Sequence, residues 1–293
     1  QPKAEAIAIS GDKIIAIGNN DEILNLASSI TKKIDIDNKT ITPGFIDAHS
    51  HPASSGRSHL RKVDCDLRSI EEIKSAIYER TKITPKGNWI SGFKYDDTKT
   101  IEKRFINNKD LDEVSPEHPV IITHRGGHTA YVNSLALSLA KIDKNTPNPD
   151  GGQIGRDIET GELNGRLLES ATYPVERLIP NEFTRADYQE GAKLISEMMS
   201  KSGITSVTDA GTGSKSLQSY QDAYDNGELK TRIYCMIRGY AFDEINSSGK
   251  KTGYGDKWVR VGALKLACDG SISERTARLS EPYIGRPNDY GII

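Results

Sequence analysis

The sequence has few of the features that mark membrane, nucleic-acid-binding or disulfide-rich proteins. Its 293 residues carry 39 basic and 41 acidic side chains, with a net charge of −2 and no long run of one sign. A nucleic acid or an anionic membrane would require a basic patch or stripe. Apolar stretches such as residues 119–123 are far too short to span a bilayer. We therefore expect neither nucleic acid nor membrane among its partners.

Cysteine is equally scarce. Cys65, Cys235 and Cys268 are scattered, odd in number and never arranged as CxxC. This spacing argues against a disulfide framework and against a cysteine-rich zinc site. A reducing cytoplasm is the expected location, with the periplasm as the alternative, because periplasmic enzymes can also lack disulfides.

The N-terminal residues predict a small all-β unit. Residues 4–17 alternate around a Gly-Asp turn and favour a hairpin. Residues 33–37 and 40–42 predict two further strands around a turn at Asn38. A new pattern begins at Pro43, so the unit is expected to cover residues 1–42.

The middle of the chain is harder to interpret. Ser69 and Glu72 form a capping box that predicts a helix. Residues 84–165 are rich in Gly, Pro and Asn and indicate an irregular insertion. Within it we expect one strand at 119–123 and one helix at about 129–141.

Regular alternation of helices and strands follows. The pattern predicts helices at 185–202 and 215–226 and strands at 203–209, 231–237 and 259–267. Strands separated by helices are typical of a parallel sheet with right-handed crossovers, so the fold class is α/β.

A His-x-His pair follows the first strand of this α/β region. Alternate strand side chains share a face, so His49 and His51 project together with Cα atoms roughly 6.5–7 Å apart. Two imidazoles at that spacing can share one metal ion. The strand is apolar where it begins and polar where it ends, which places both histidines at its carboxyl end. A pair at this spacing also arises by chance, so its context carries the argument.

That context, Pro-Gly-Phe-Ile-Asp-x-His-x-His-Pro at residues 43–52, resembles the strand-one signature of the amidohydrolase superfamily. Further motifs across nearly the whole chain resemble amidohydrolase family 3, the YtcJ-like group that includes N-substituted formamide deformylases. These motifs are Trp89-Ile-Ser-Gly-Phe, Gly127-His-Thr-Ala-Tyr-Val-Asn-Ser, Gly161-Glu-Leu-Asn-Gly and Asp269-Gly-Ser-x-x-x-Arg-Thr-Ala.

The resemblance implies a metal-dependent (β/α)₈ TIM barrel flanked by a small β-sandwich. Residues 1–42 would be part of the sandwich, and residues 43–293 the first half of the barrel. It also implies one or two divalent ions, with Zn²⁺ expected, and hydrolysis of a non-peptide amide C–N bond in a small-molecule substrate.

Lys265 is the third candidate ligand. Strict alternation groups it with Val259 and Val261 on one strand face, where burial beside a metal favours the neutral amine. A neutral amine can take up carbon dioxide as a carbamate. The resemblance places a carbamylated, metal-bridging lysine on strand four, and Lys265 lies there by strand count. The alternative is a lysine that reaches water at a strand end, since alternation can slip by one residue.

Five residues are candidates for binding substrate: His128, Asn133, Asp209, Asp269 and Arg275. For His128 and Asn133 a structural role is equally open. Asp209 ends a strand, where a carboxylate is often functional in a barrel, but it could cap the next helix. Asp269 could instead begin a loop.

His124 and Glu169 are two further polar residues of the middle region. His124 and His128 have the i, i+4 spacing of a helical metal pair, but the intervening Arg-Gly-Gly makes a helix improbable. Glu169 could act near the metal, but a position on a helix surface is the favoured expectation.

The last predicted strand ends near residue 267, and the remaining 26 residues contain no histidine. A (β/α)₈ barrel has eight strands over about 250 residues, and the resemblance implies two further histidine ligands and a general-base aspartate. We therefore expect those residues beyond Ile293, in the C-terminal half of a longer chain. The alternatives are a homodimer that completes the barrel, and a non-catalytic binding or regulatory protein on a truncated scaffold.

Overall fold

A computed structural model describes residues 3–180, 183–272 and 274–292. The chain divides into two compact units, residues 1–43 and residues 44–293.

In the smaller unit, strands β1 (Ala6–Ser10) and β2 (Lys13–Gly18) form the predicted antiparallel hairpin. Helix α1 (Asn20–Leu24) follows, and the side chain of Asn19 caps it by accepting a hydrogen bond from Glu22 N at 2.9 Å.

The two strands predicted over residues 33–42 are wrong. That segment, all of it described, contains no strand. Asp37 and Asn38 turn the chain with φ of 49° and 60°, while Ile34 and Ile41 stay exposed. Alternation produces a strand only where one face can be buried, and this segment buries neither isoleucine.

The larger unit contains both sheets. Its strands are β3 (Phe45–Ser50), β4 (Val63–Asp64), β5 (Ile90–Tyr95), β6 (Val120–His124), β7 (Thr129–Val132), β8 (Gly152–Arg156), β9 (Leu163–Glu169), β10 (Ile204–Thr212), β11 (Arg232–Arg238) and β12 (Val259–Lys265). Its helices are α2 (Pro52–Arg61), α3 (Ile70–Thr81), α4 (Asn108–Val114), α5 (Ser134–Leu139), α6 (Tyr173–Glu176), α7 (Arg185–Lys201), α8 (Ser214–Asp225) and α9 (Phe242–Ser247), with 3₁₀ turns at Ser170–Thr172 and Gly239–Ala241. Among the described residues, no helix is both long and apolar enough to cross a bilayer.

The first sheet confirms the predicted fold class. Its order is β3-β10-β11-β12, every pair is parallel, and helical segments connect successive strands from β10 onward. This is the arrangement of consecutive strands in a (β/α)₈ barrel. One face packs against α2, α7 and α8 through a buried core that includes Ile195, Val207, Tyr220 and Val261. Both edge strands expose large apolar side chains, among them Phe45 on β3 and Leu264 on β12.

The second sheet occupies the region expected to be an irregular insertion. Its order is β4-β5-β6-β7-β9-β8, parallel from β4 to β6 and antiparallel elsewhere. It spans residues 63–169 and packs helices α3 and α4 against one core and α5 and α6 against another. The irregular interpretation was therefore wrong, because strands of two to seven residues between Gly, Pro and Asn turns are too short to show a clear period.

The helix predicted at about 129–141 is also corrected. Residues 129–132 form the buried strand β7, which pairs with β6 on one side and β9 on the other. Helix α5 begins only after Asn133, whose side chain accepts from Ala136 N at 3.0 Å. Pairing on both sides of β7 overrides the helical preference of this apolar run.

Helix α2 carries the chain directly away from His51, and its contact with α7 fixes where it lies. A methyl group on Gly56 would overlap the carbonyl oxygen of Gly191, and one on Gly191 would lie 3.0 Å from Arg57 N. The two helix backbones therefore touch at a pair of glycines.

We predict that Gly56→Ala lowers the free energy of unfolding. Alanine favours a helix over glycine by about 1 kcal/mol, but overpacking at this contact costs about 1–3 kcal/mol. Chemical denaturation should show the loss, with Ser55→Ala on the same helix as control. An unchanged or higher midpoint would mean that α2 and α7 separate freely to admit a side chain.

Candidate active site

The carboxyl end of β3 carries the predicted histidine pair. His49 is the fifth residue of the strand, and His51 follows it immediately before Pro52 begins α2. Their ring centroids are 5.6 Å apart, with ring planes at 86°. The structure thus brings the two imidazoles together at the edge of the parallel sheet.

Lys265 ends β12, at the same edge. Its register partner is Arg238, the last residue of β11. The predicted alternation, which put Lys265 on the same strand face as Val259 and Val261, is wrong. The two valines face the helix layer. An extra residue in β12 shifts its register between Val261 and Leu264. This irregularity reverses the facing of the residues beyond it, as a β-bulge does. Lys265 is consequently half-buried rather than enclosed.

A buried carboxylate stands behind His51. Asp209 Oδ1 lies 3.9 Å from His51 Nδ1, and the Asp209 side chain is only 2% exposed. Its carboxylate accepts hydrogen bonds from Tyr220 Oη at 2.7 Å and from Gly211 N at 3.1 Å. Burial raises the pKa of Asp209, although these hydrogen bonds oppose the shift. Asp209 therefore lies behind the ring of His51, within ion-pair distance.

The surroundings of His51 favour its neutral form. Burial lowers the pKa of His51, and positive charge on Arg238, His49 and Lys265 lowers it further. A methyl group on Gly211 would lie 3.0 Å from His51 Nδ1 and 3.1 Å from Arg238 Nε, so a side chain there would crowd the ring. A neutral imidazole is the form that binds a metal. His51 therefore fits a metal ion in donor type and protonation state.

A second polar cluster lies where β5 and β6 end. Ligand atoms of Asp96, Asp97 and His124 all lie within 4.8 Å of one another. Sequence reasoning missed this group, because Asp96 and Asp97 belong to no recognised motif. Asp96 already accepts hydrogen bonds from Arg125 at 3.2 Å and from Thr98 at 2.6 Å.

His124 is held between two carboxylates. Nε2 lies 3.6 Å from Asp97 Oδ1, and Nδ1 lies 3.5 Å from Glu274 Oε2. Although burial opposes the charge, the two carboxylates raise the pKa of His124 to about 9. The pKa values of Asp97 and Glu274 are lowered in return, against the effect of burial. An imidazolium between two carboxylates describes this cluster better than a metal site does.

Glu274 joins the segment after β12 to the six-stranded sheet. Its side chain is 1% exposed, and its oxygens accept from His128 N at 3.2 and 3.1 Å. Together with the ion pair to His124, this contact anchors the loop that leaves the strand of Lys265. Sequence reasoning missed Glu274 as well, since only the fold brings it to His128.

The structure places the predicted substrate-binding residues in different surroundings. Asn133 is fully buried, and both ends of its amide are engaged: Oδ1 accepts from Val120 N and Ala136 N, and Nδ2 donates to Ser115 O and His118 O. These hydrogen bonds shape the sheet and favour the structural role for Asn133.

The other candidates lie in loops. Asp269 is exposed in the loop after β12, where its carboxylate accepts from Arg278 N at 2.9 Å. Arg275 is half-buried with φ of 60°, and its charge helps lower the pKa of Asp97.

His128 keeps 36% of its side chain exposed, and its Nδ1 lies 3.0 Å from Glu169 Oε2. The expectation that Glu169 lies on a helix surface was wrong, because it is the last residue of β9 and is turned inward.

A family model for the amidohydrolase family matches residues 32–292. The chain belongs to amidohydrolase family 3. It is 30% identical over 278 residues to an N-substituted formamide deformylase of Arthrobacter pascens, covering 91% of this chain and 51% of that protein. It is 28% identical to the putative amidohydrolase YtcJ of Bacillus subtilis (strain 168), covering 99% of this chain and 55% of that protein.

A solved structure shares the fold of this amidohydrolase chain. An uncharacterized metal-dependent hydrolase from Pyrococcus furiosus superposes with a TM-score of 0.64 at 26% identity, covering 98% of this chain and 57% of that one. The chain thus spans about half the length of the relatives it matches.

The His124 cluster predicts a pH dependence of stability in this family member. Because the pKa of His124 is raised from 6.5 to about 9, its contribution is complete below pH 6.5 and is lost as the pH rises through 9. Because the pKa values of Asp97 and Glu274 are lowered from 3.8 and 4.5, their contributions are complete above those values and are lost on acidification.

The stability difference between wild type and His124→Gln should therefore shrink steadily between pH 6.5 and 9. Denaturation at several pH values measures it, and His59→Gln controls for loss of a half-exposed histidine. A constant difference across that range would show that His124 is neutral in the folded protein.

Proposed function

We propose that this chain provides a metal centre that hydrolyses a non-peptide amide C–N bond, in the class of N-substituted amides and formamides. His49, His51 and Lys265 are proposed to hold the ion, with Zn²⁺ as the expected metal. The observation that supports this most strongly is the pair of imidazoles, with ring centroids 5.6 Å apart, at the carboxyl edge of the parallel sheet where the strand of Lys265 also ends. TIM-barrel enzymes place their chemistry at this edge.

The chain's own residues would orient the ligands. With Nδ1 facing the buried Asp209, His51 retains Nε2 as the nitrogen for the ion. A carboxylate behind a ligating histidine fixes its tautomer and ring orientation in many metal sites. A bound ion would supply Lewis acidity, which polarises the scissile carbonyl and lowers the pKa of water. Asp209 is too enclosed to exchange protons with substrate, so its proposed role is orientation.

The substrate class rests on similarity to a relative whose name states deformylation of N-substituted formamides. Among the candidates for contact with such a substrate, His128 has an accessible ring and Arg275 is half-buried in the loop after β12. The alternative, a non-catalytic binding role, makes different predictions for turnover and for bound metal.

We predict that His49→Ala in the intact enzyme reduces bound metal to background and abolishes hydrolysis of 4-nitroformanilide. The substitution removes one of two imidazoles at the edge of the sheet. Elemental analysis of the purified protein and release of 4-nitroaniline are the measurements. His59→Gln is the control, since His59 meets Phe93 edge-on with ring centroids 4.9 Å apart.

His124→Gln distinguishes the second cluster in the same assay, because metal lost there but kept in His49→Ala would move the centre to Asp96 and Asp97. An intact wild-type enzyme that binds no metal and releases no 4-nitroaniline would favour the non-catalytic alternative.

Lys265 is proposed to act as its carbamate. Metal-depleted protein, prepared in mildly acidic buffer free of carbon dioxide, should then take up more Zn²⁺ per chain when bicarbonate is supplied. Lys265→Arg keeps the positive charge but forms no carbamate, so its uptake should not respond to bicarbonate. Equal uptake by the wild type with and without bicarbonate would remove the carbamate from the proposal.

A further inference from the structure

The end of β9 holds a backbone conformation that its residue does not favour. Glu169 has φ of 49° and ψ of −125° and leads directly into the 3₁₀ turn at Ser170–Thr172. For a residue with a Cβ this conformation is strained, and such strain persists only where the surrounding structure imposes it. Glycine would adopt it without cost, yet the chain has glutamate.

The strain directs the Glu169 side chain to His128. The antiparallel register pairs Thr129 with Leu168, which brings His128 and Glu169 opposite each other at the end of the ladder. Glu169 N donates to His128 O at 2.8 Å, and Glu169 Oε2 meets His128 Nδ1 at 3.0 Å. The other oxygen, Oε1, is buried and has no hydrogen-bond partner among the described residues.

His128 is thereby held at its backbone and at one nitrogen of its ring. Its backbone N–H donates to the buried carboxylate of Glu274, and Nδ1 is engaged by Glu169. Across residues 3–180, 183–272 and 274–292, Nε2 of His128 makes no hydrogen bond or ion pair, and the side chain is 36% exposed. The ring is oriented, and one nitrogen remains available to a ligand.

We propose that Glu169 is a positioning residue that fixes the Nδ1–H tautomer of His128, so that Nε2 contacts the amide substrate. The role of Glu169 is orientation, and the contact with substrate is made by His128. This inference rests on the proposed amide hydrolysis for its substrate, but the orientation of the ring does not depend on it.

The first test measures the tautomer of the His128 ring directly. The chain has six histidines, so ¹⁵N-histidine labelling gives few side-chain signals to assign. Wild type should show His128 protonated at Nδ1. Glu169→Ala should shift it to the Nε2–H form, while Glu162→Gln, which alters an exposed glutamate on the same hairpin, should change nothing. A His128 tautomer unaffected by Glu169→Ala overturns the proposal, whatever the activity.

The second test distinguishes a positioning role of Glu169 from a purely stabilising one. Glu169→Gly removes the carboxylate and relieves the strained φ, so its thermal midpoint should equal or exceed that of the wild type. A residue that serves only stability would lower the midpoint when removed. With 4-nitroformanilide we expect kcat/KM to fall at least tenfold in Glu169→Gly and to recover partly in Glu169→Gln, whose amide oxygen can still accept from Nδ1.

Retained kcat/KM in Glu169→Gly, together with an altered tautomer, would reduce the pair to a structural contact and overturn the proposal. Metal content keeps this failure distinct from that of the proposed function. The Glu169 variants should keep the metal of the wild type, whereas failure of the metal centre would appear as absence of metal or turnover in the wild type itself.

Discussion

The candidate site depends above all on the parallel direction of four strands. Because β3, β10, β11 and β12 all run the same way, their carboxyl ends meet at one edge. His49, Asp209, Arg238 and Lys265 are distant in sequence, and each ends or nearly ends one of these strands. A single antiparallel strand would have sent its polar residue to the opposite edge.

This convergence creates an electrostatic problem that constrains the chemistry. Arg238 and Lys265 are register partners, and both depress the pKa of His51. A divalent cation beside two fixed cations is disfavoured by simple Coulomb repulsion. Conversion of Lys265 to a carbamate would replace one positive charge with a negative one, so the crowding of cations is itself an argument for that modification. The carboxylate of Asp209, buried behind His51, supplies a further negative charge near that histidine.

The second sheet is tied to this edge by buried charge. The buried carboxylate of Glu274 pairs with His124 and accepts a hydrogen bond from the backbone of His128. Burial of a carboxylate is tolerable only when it is paired in this way. The pairing fixes the loop that follows Lys265 against the strands that carry His128. Loop and sheet therefore lie together for an electrostatic reason rather than an apolar one.

Local signals in the sequence predicted local structure well. Helix α3 begins where the Ser69–Glu72 capping box predicts, and α7 begins after Thr184, whose side chain is engaged by Asp187. Alternation and crossover rules also predicted the strand order, in which Lys265 lies on the fourth strand. What failed was the region of residues 63–169, where several strands pair with partners tens of residues away and single windows carry little information.

Two other failures share a cause and lie at the candidate chemistry. The facing of Lys265 depends on an extra residue in β12, and the inward turn of Glu169 depends on a backbone conformation that glutamate does not favour. Both are imposed by neighbouring strands, so no pattern within the segment encodes them. Natural sequences obey local rules because consistency gives a stable fold, and departures are retained where a geometry is needed for another purpose. That two such departures orient a candidate metal ligand and the carboxylate of the His128 pair is physical support for regarding both as parts of a site.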